Sequence, residues 1–259
     1  MSTYLGYRDG DADTPFGAFY QPHMAPLPRH VVEALEHGPQ AEEILQEFDD
    51  AAAILEDGYL PTENGYGTLR DGGIQVSVRT DMPGATPAMW SWWFGWHGCD
   101  SRRYKLWHPR AHVSARWSDD GGDDAEYVGR TSLIREYIGS AYSKVAIQFV
   151  DPSSLRLELR GGEVAVCARL GSSEARVDVG WLIHHVRPTI DGSEMRSRFW
   201  MGGRHIGTRS GNQSADEAIK RLAAREIPNP RDLMVHCAQE MNHLAGFLPE
   251  LYTQLGGGR

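Results

Sequence analysis

Between Asn229 and Pro249 the sequence NPRDLMVHCAQEMNHLAGFLP sets His236, Glu240 and His243 at intervals of four and three residues. On an α-helix these positions share one face, because side chains three and four residues apart are near neighbours. A histidine and a glutamate one turn apart can bind a single ion, and imidazole nitrogen with carboxylate oxygen is a donor pair that suits zinc. Met234, Cys237, Met241, Leu244 and Leu248 recur at the same spacings and make an apolar stripe beside that face. Pro230 in the first turn, Asp232 at the positive end of the helix dipole and Pro249 as a stop predict one helix across the stretch. The same spacing fits an amphipathic helix with polar surface residues, so the chemistry depends on partners elsewhere in the chain.

One upstream imidazole and one further carboxylate would complete a four-donor set. His97, His108 and His112 compete for the first place, and spacing does not choose among them. For the second, Glu136 interrupts the apolar pattern of RTSLIREYIG; a carboxylate there either faces solvent or is buried beside a compensating charge such as a dication. Glu126 is the alternative, at the end of the acidic run SDDGGDDAE. That run lacks the ligand order and closing Glu of an EF-hand and reads as a solvated loop. The candidate set is His112, Glu136, His236 and Glu240, with those alternatives open. His184 and His185 in WLIHHVRP point to opposite faces of a strand, so one of them can line a cavity. Neither a G-x-S-x-G elbow, a Walker loop nor a clean dinucleotide fingerprint is present.

These side chains need elements to carry them. Residues 1 to 28 are rich in Gly, Asp and Pro and read as an arm on the surface. Two short amphipathic helical segments follow, from Arg29 to about Glu56, broken at Gly38-Pro39. Gly58 to Gly73 supplies turns, and GGIQVSVRT alternates like the strand that opens a sheet. The span DMPGATPAMWSWWFGWHGCD packs four tryptophans and a phenylalanine; it fits a helix against a sheet or an aromatic pocket wall, and Trp93 is the ring assigned to substrate contact. From Tyr127 onward YVGRTSLIREYIG, KVAIQFVDP, LRLELRG, EVAVCARLG, ARVDVGWLIHHVRPT and GSEMRSRFWMGG read as successive antiparallel strands. A helix from about Ser210 to Ala224 precedes the metal-bearing one. The expected architecture is α+β, a curved sheet gripping a long C-terminal helix with a cavity between them. A soft boundary falls near residue 60, giving 1–60 as arm and small helical region and 61–259 as the main domain. The closing GGGR has no packing signature.

Composition narrows the function classes. The 259 residues are 41% hydrophobic and 24% charged, as in an ordinary globular protein, and no apolar run approaches the roughly 20 residues of a membrane span. A formal charge of −9 with scattered Lys and Arg argues against nucleic acid as a partner. The N-terminus has neither a basic start nor an apolar core, and the three cysteines lack C-x-x-C spacing, which together predict a cytoplasmic protein with unpaired thiols. The excess lies in eleven histidines and eight tryptophans, which supply ligands and pocket walls.

The strings WSWWFGWHG, RYKLWHPRAH, YVGRTSLIREYIG, IHHVRP followed by GSEMRSRFWMGG, and HCAQEMNHLAGFLP resemble the successive motifs of the diacetylphloroglucinol and phloretin hydrolases, over about residues 80 to 252. The resemblance implies a Bet v 1-like domain, with a strongly bent antiparallel sheet around a long C-terminal helix, after a small helical N-terminal region. It also implies one zinc ion held by two His and two Glu, a homodimer, and hydrolysis of the carbon–carbon bond between an acyl group and a phenolic ring. Carried onto this chain, the helical ligands fall on His236 and Glu240, the upstream ones on His112 and Glu136, the substrate-contacting tyrosine on Tyr104 and the additional cavity histidine on His184. Two positions depart from the pattern: Phe199 replaces a substrate-binding Tyr, and Ala115 stands where an Asn is expected. Lost hydrogen-bond partners at such positions can redirect specificity by large factors.

The implied reaction is attack of hydroxide, generated at zinc, on the acyl carbonyl of a small acylated phenol, with His184 or Tyr104 assisting proton transfer. The rival readings are a non-catalytic carrier of hydrophobic ligands and a zinc hydrolase of a related ester or amide.

Overall fold

The computed structural model describes residues 6–122, 126–208 and 213–256. After an irregular arm come α1 (Arg29–His37), β1 (Gly65–Thr68), β2 (Ile74–Pro83), α2 (Pro87–Trp96) and α3 (Ser101–Trp107). The strands β3 (His112–Trp117), β4 (Thr131–Ile138), β5 (Ala141–Val150), β6 (Val164–Ser172), β7 (Val177–Thr189), β8 (Gly192–Met201) and β9 (Gly207–Thr208) follow, then α4 (Gln213–Ala223), α5 (Pro230–Ala245) and α6 (Leu248–Leu255). The strands form one nine-stranded antiparallel sheet in the order β1-β2-β8-β7-β6-β5-β4-β3, with β9 beside β7. Between β2 and β3 the chain crosses from one end of that order to the other, and α2 and α3 lie in the crossing. Helix α5 packs on β1 and β2 near one end of the order and on β4 near the other, so the sheet curves around it. This is the expected α+β arrangement, a bent antiparallel sheet around a C-terminal helix.

Alternation decides which side chains face the helix. Along β8, Met195, Phe199 and Met201 enter the main core, whereas Arg196, Arg198 and Trp200 point the other way. That outer face is covered by residues 42–63 and by the segment after β5. Phe48 stacks on Trp181 at 5.2 Å and meets Trp200 edge-on at 5.3 Å. The carboxylate of Glu63 pairs with both Arg196 and Arg198, at 2.5 and 2.8 Å. Burial alone would raise the Glu63 pKa, but the two guanidiniums bring it down to about 2.

Four expectations change. The second helical segment before residue 56 is a 3-10 turn at Glu42–Ile44 and a kinked 3-10 stretch at Phe48–Leu55. Its carbonyls are drawn out of the i to i+4 pattern: the Trp200 indole donates to Gln46 O at 2.7 Å, and Arg196 donates to Ile54 O. Gly58 to Gly73 contains a short strand, β1, as well as turns. LRLELRG is no strand, because Arg156 takes the left-handed φ of 58° and Leu157 is buried in the outer core instead of pairing. The single C-terminal helix is two helices. Helix α5 closes on Gly246, and Pro249 sits in the first turn of α6, where its missing N–H costs nothing.

Among the described residues no helix is long and apolar enough to cross a membrane, and none of the three cysteines forms a disulfide. Part of the acidic run before β4 and the end of the GGGR tail lie outside the described residues.

Candidate metal centre and cavity

Two local arrangements bring four donors to one point. On α5, His236 and Glu240 lie one turn apart and are both buried. The helix is started by Asn229, whose side-chain oxygen accepts from the N–H groups of Arg231 and Asp232 at 2.9 and 3.4 Å. On the sheet, His112 and Glu136 are directly opposed partners across β3 and β4, beside a bulge between His112 and Ser114. Cross-strand partners project to the same side. Glu136 is in step with Ser132, Ile134 and Ile138, all of which line the cavity, so strand periodicity carries a carboxylate inside with them.

The distances are tight. His112 Nε2 is 3.3 Å from Glu240 Oε2 and 3.6 Å from Glu136 Oε2. His236 Nε2 is 3.5 Å from Glu136 Oε2 and 3.7 Å from Glu240 Oε2. Candidate ligand atoms of His112, His236 and Glu240 all fall within 4.8 Å of one another. The supporting contacts orient these donors. His112 Nδ1 bonds the carbonyl of Tyr104 at 2.8 Å, which turns Nε2 toward the carboxylates, and Nε2, though buried, has no hydrogen-bond partner among the described residues. Tyr104 OH donates to Glu136 Oε2 at 2.5 Å, and its ring stacks on His112 at 3.7 Å. The donor set therefore fits a divalent cation of zinc's preference: imidazole nitrogen, carboxylate oxygen, and second contacts that fix ligand orientation.

Binding a cation in this set would displace the protons that burial and pairing place on His236 and Glu240. Burial, then the charges of His236 and His108, keep His112 far below the ordinary histidine range and hence neutral. Burial would lower His236 as well, but the hydrogen bond it donates to Glu136 and the charges of Glu240 and Glu136 carry it up to about 9. Glu240 is pushed up to about 8 by burial, against the pull of His236. Burial and Glu136 hold the Tyr104 phenol well above its usual range, so it remains a proton donor.

Glu136, His236 and Glu240, with Tyr104, line a cavity of about 90 Å³ between sheet and helix. The walls are Phe94, His97 and Trp107 from the crossing segment, and apolar side chains from β4 to β8. His184 and Phe199 both line it, with rings 5.8 Å apart and edge-on. His184 bonds Ser197 Oγ, its partner across β7 and β8, at 2.7 Å through Nδ1, and burial lowers its pKa to about 3. His185 faces the other way, toward Glu163 at 3.4 Å.

The other candidates fall elsewhere. His97 is buried, bonds the carbonyl of Trp93 at 2.8 Å and forms cavity wall. His108 stacks on His236 at 5.0 Å and contacts Gln239 at 3.4 Å. Glu126 is exposed and caps Val128 N at 3.0 Å, far in character from a buried ligand. His243 leaves the metal face: its Nδ1 accepts from Ala25 N at 3.2 Å and ties down the N-terminal arm. Trp93 is not among the cavity-lining residues; it stands one layer back, stacked on His97 at 5.2 Å. Ala115 is buried in the main core. Ser197, which orients His184, and Ser132 were missed by the sequence reading. The signal for both was available, since each lies in strand register with a residue already singled out.

Fold and site together define a cavity protein of α+β class whose buried histidines and glutamates can hold a metal ion. Residues 44–253 match the family described as the DAPG hydrolase PhiG domain, and the chain belongs to that family of hydrolases. It is 30% identical to the 2,4-diacetylphloroglucinol hydrolase of Pseudomonas protegens over 93% of this chain and 85% of that one. It is 29% identical to the phloretin hydrolase of Eubacterium ramulus over 96% of this chain and 93% of that one. Among solved structures, protein CV1439 from Chromobacterium violaceum matches 68% of this chain and 96% of its own, with 14% identity and a TM-score of 0.38.

Proposed function

We propose that the protein hydrolyses the carbon–carbon bond between an acyl group and a phenolic, phloroglucinol-like ring, with zinc held by His112, Glu136, His236 and Glu240. The observation that carries this reading is the convergence of four buried donors, three of them lining an apolar cavity and the fourth, His112, with its Nε2 unpartnered among the described residues. A zinc ion in that set supplies Lewis acidity, acidifying water and polarising a carbonyl. The chain's own groups do the rest. The net reaction adds the elements of water: the acyl carbon gains hydroxyl to become a carboxylic acid, and the ring carbon it leaves gains a proton. Before cleavage the ring takes a keto form, so the electrons of the broken bond are received as an enolate. His184 is neutral at physiological pH and has one ring nitrogen committed to Ser197; the other exchanges a hydrogen bond with the phenolic oxygen. Tyr104 holds Glu136 and stands beside the reacting end. Phe199 and the rings backed by Trp93 pack the flat ring and keep bulk water out. The small acylated aromatic is the partner this reading implies, in a cytoplasmic homodimer.

The test is metal content by mass spectrometry on untagged protein beside His236→Ala, with product analysis on acylphloroglucinols. About one zinc per chain, lost in the variant, with a carboxylic acid and the deacylated ring as products, is the expected result. Unchanged metal loading in the variant would sink the ligand assignment, and acid release only from esters or amides would sink the carbon–carbon reading.

A further inference from the structure

We infer that Ser132 forms a second hydrogen-bonding subsite at the end of the cavity remote from the metal donors, and that it reads a hydroxyl or carbonyl at the far end of the substrate's acyl chain. This rests on the proposed acylphenol reading for what occupies the near end. Ser132 is 2% exposed and lines the cavity, yet its Oγ has no hydrogen-bond partner among the described residues. Buried hydroxyls are nearly always paired, and an unpaired one in a cavity wall marks a place where a ligand atom or water belongs.

Its position sets the length of what it reads. Ser132 and Glu136 are four residues apart on the same face of β4, which is about 13 Å along an extended strand. The wall between them is hydrocarbon: Ile134 lies between the two on β4, and Val145 and Ile147 are the β5 partners of Ile134 and Ser132. A phenolic ring whose acyl carbonyl sits at the metal end keeps all its hydroxyls within one ring's width of that end. Only the acyl chain, directed along the hydrocarbon wall, reaches Ser132. The cavity thus pairs polar recognition at both ends with an apolar middle, and the substrate class that complements it is an acylphenol whose chain is several carbons long and ends in a hydrogen-bonding group.

Phe199 sharpens the point. An aromatic hydrocarbon ring beside His184 offers no hydrogen bond to the ligand, so discrimination among ligands shifts to the polar groups that remain, of which Ser132 is the one placed far from the reacting carbonyl.

The experiment compares hexanoylphloroglucinol with 6-hydroxyhexanoylphloroglucinol on the zinc-loaded wild type, Ser132→Ala and Ser132→Cys, the last preserving volume without a strong donor. Both hydrolysis rates and calorimetric binding are measured. The wild type should favour the hydroxylated compound about tenfold in kcat/KM and in affinity, from one added hydrogen bond to a group otherwise left unpaired. Both variants should lose that preference, the ratio of the two compounds' kcat/KM and affinities falling to about one. No preference in the wild type, or a preference that survives in both variants, overturns the assignment. Hydroxyl-dependent binding that the variants lose, without hydrolysis of either compound, keeps the subsite and discards the hydrolase reading.

Discussion

Tyr104 is the residue on which the candidate centre leans most without being a ligand. Its carbonyl fixes the orientation of His112 and its hydroxyl donates to Glu136. Only the second of these is lost in Tyr104→Phe, which leaves a buried carboxylate short of a charge-assisted donor. Partners of this kind tune metal affinity by about 10- to 100-fold. Chelator competition should show zinc held that much more weakly in Tyr104→Phe, with the fold intact by circular dichroism. An unchanged zinc affinity would mean that the phenol serves the substrate alone. Glu136 itself shows how far a single residue can be read: a carboxylate inside an apolar pattern is either out in water or inside with a partner, and the alternation of β4 decides for the inside.

At the scale of elements, the proposed ligand set depends on how α5 begins and how β3 meets β4. The helix start is local chemistry: Pro230 stands in the first turn as expected, and the Asn229 side chain caps the helix. Replacing Asn229 by Ala should cost about 1 kcal/mol in urea-denaturation stability, the usual worth of such a cap; no change would show that tertiary packing alone holds the first turn. The helix end was misread, because Pro249 stops one helix and equally starts another, and spacing does not say which. The opposition of His112 and Glu136 was beyond sequence altogether. It depends on strand register and on the bulge after His112, both set by how the hairpin packs. Why His112 and not His97 or His108 reaches the centre has the same origin: the three sit within sixteen positions, and only the turn from α3 into β3 directs one of them to the carboxylates.

For the whole molecule, burial of titratable groups makes a prediction about acid. His97 and His184 have pKa values lowered by burial to about 4 and about 3, against roughly 6.5 in an unfolded chain. The unfolded state then binds more protons than the folded one as pH drops below 6.5. The contribution of these two histidines is full above that value and declines as pH falls toward the folded-state values, by on the order of a few kcal/mol for each. Glu63, lowered to about 2 by Arg196 and Arg198, adds a further loss below the usual carboxylate range. Denaturant midpoints measured from pH 7 to pH 4 should fall continuously, and less in His97→Phe; a flat profile would contradict the buried neutral histidines.

What the sequence by itself determined is whatever local periodicity and residue chemistry dictate. That includes the i, i+4 pair on α5, the run of alternating strands and the family-like order of motifs. Tertiary structure alone decided what depends on partners distant in the chain. The residues before 56 abandon the α-helix because Trp200 and Arg196, far along the sequence, claim their carbonyls. His243, on the same helical face as the ligands, is drawn to Ala25, and Trp93 is displaced behind His97 by the packing of its own helix against the sheet. A helix or strand is specified over a few residues, but a site made of four side chains from three elements exists only where the curved sheet closes on the helix.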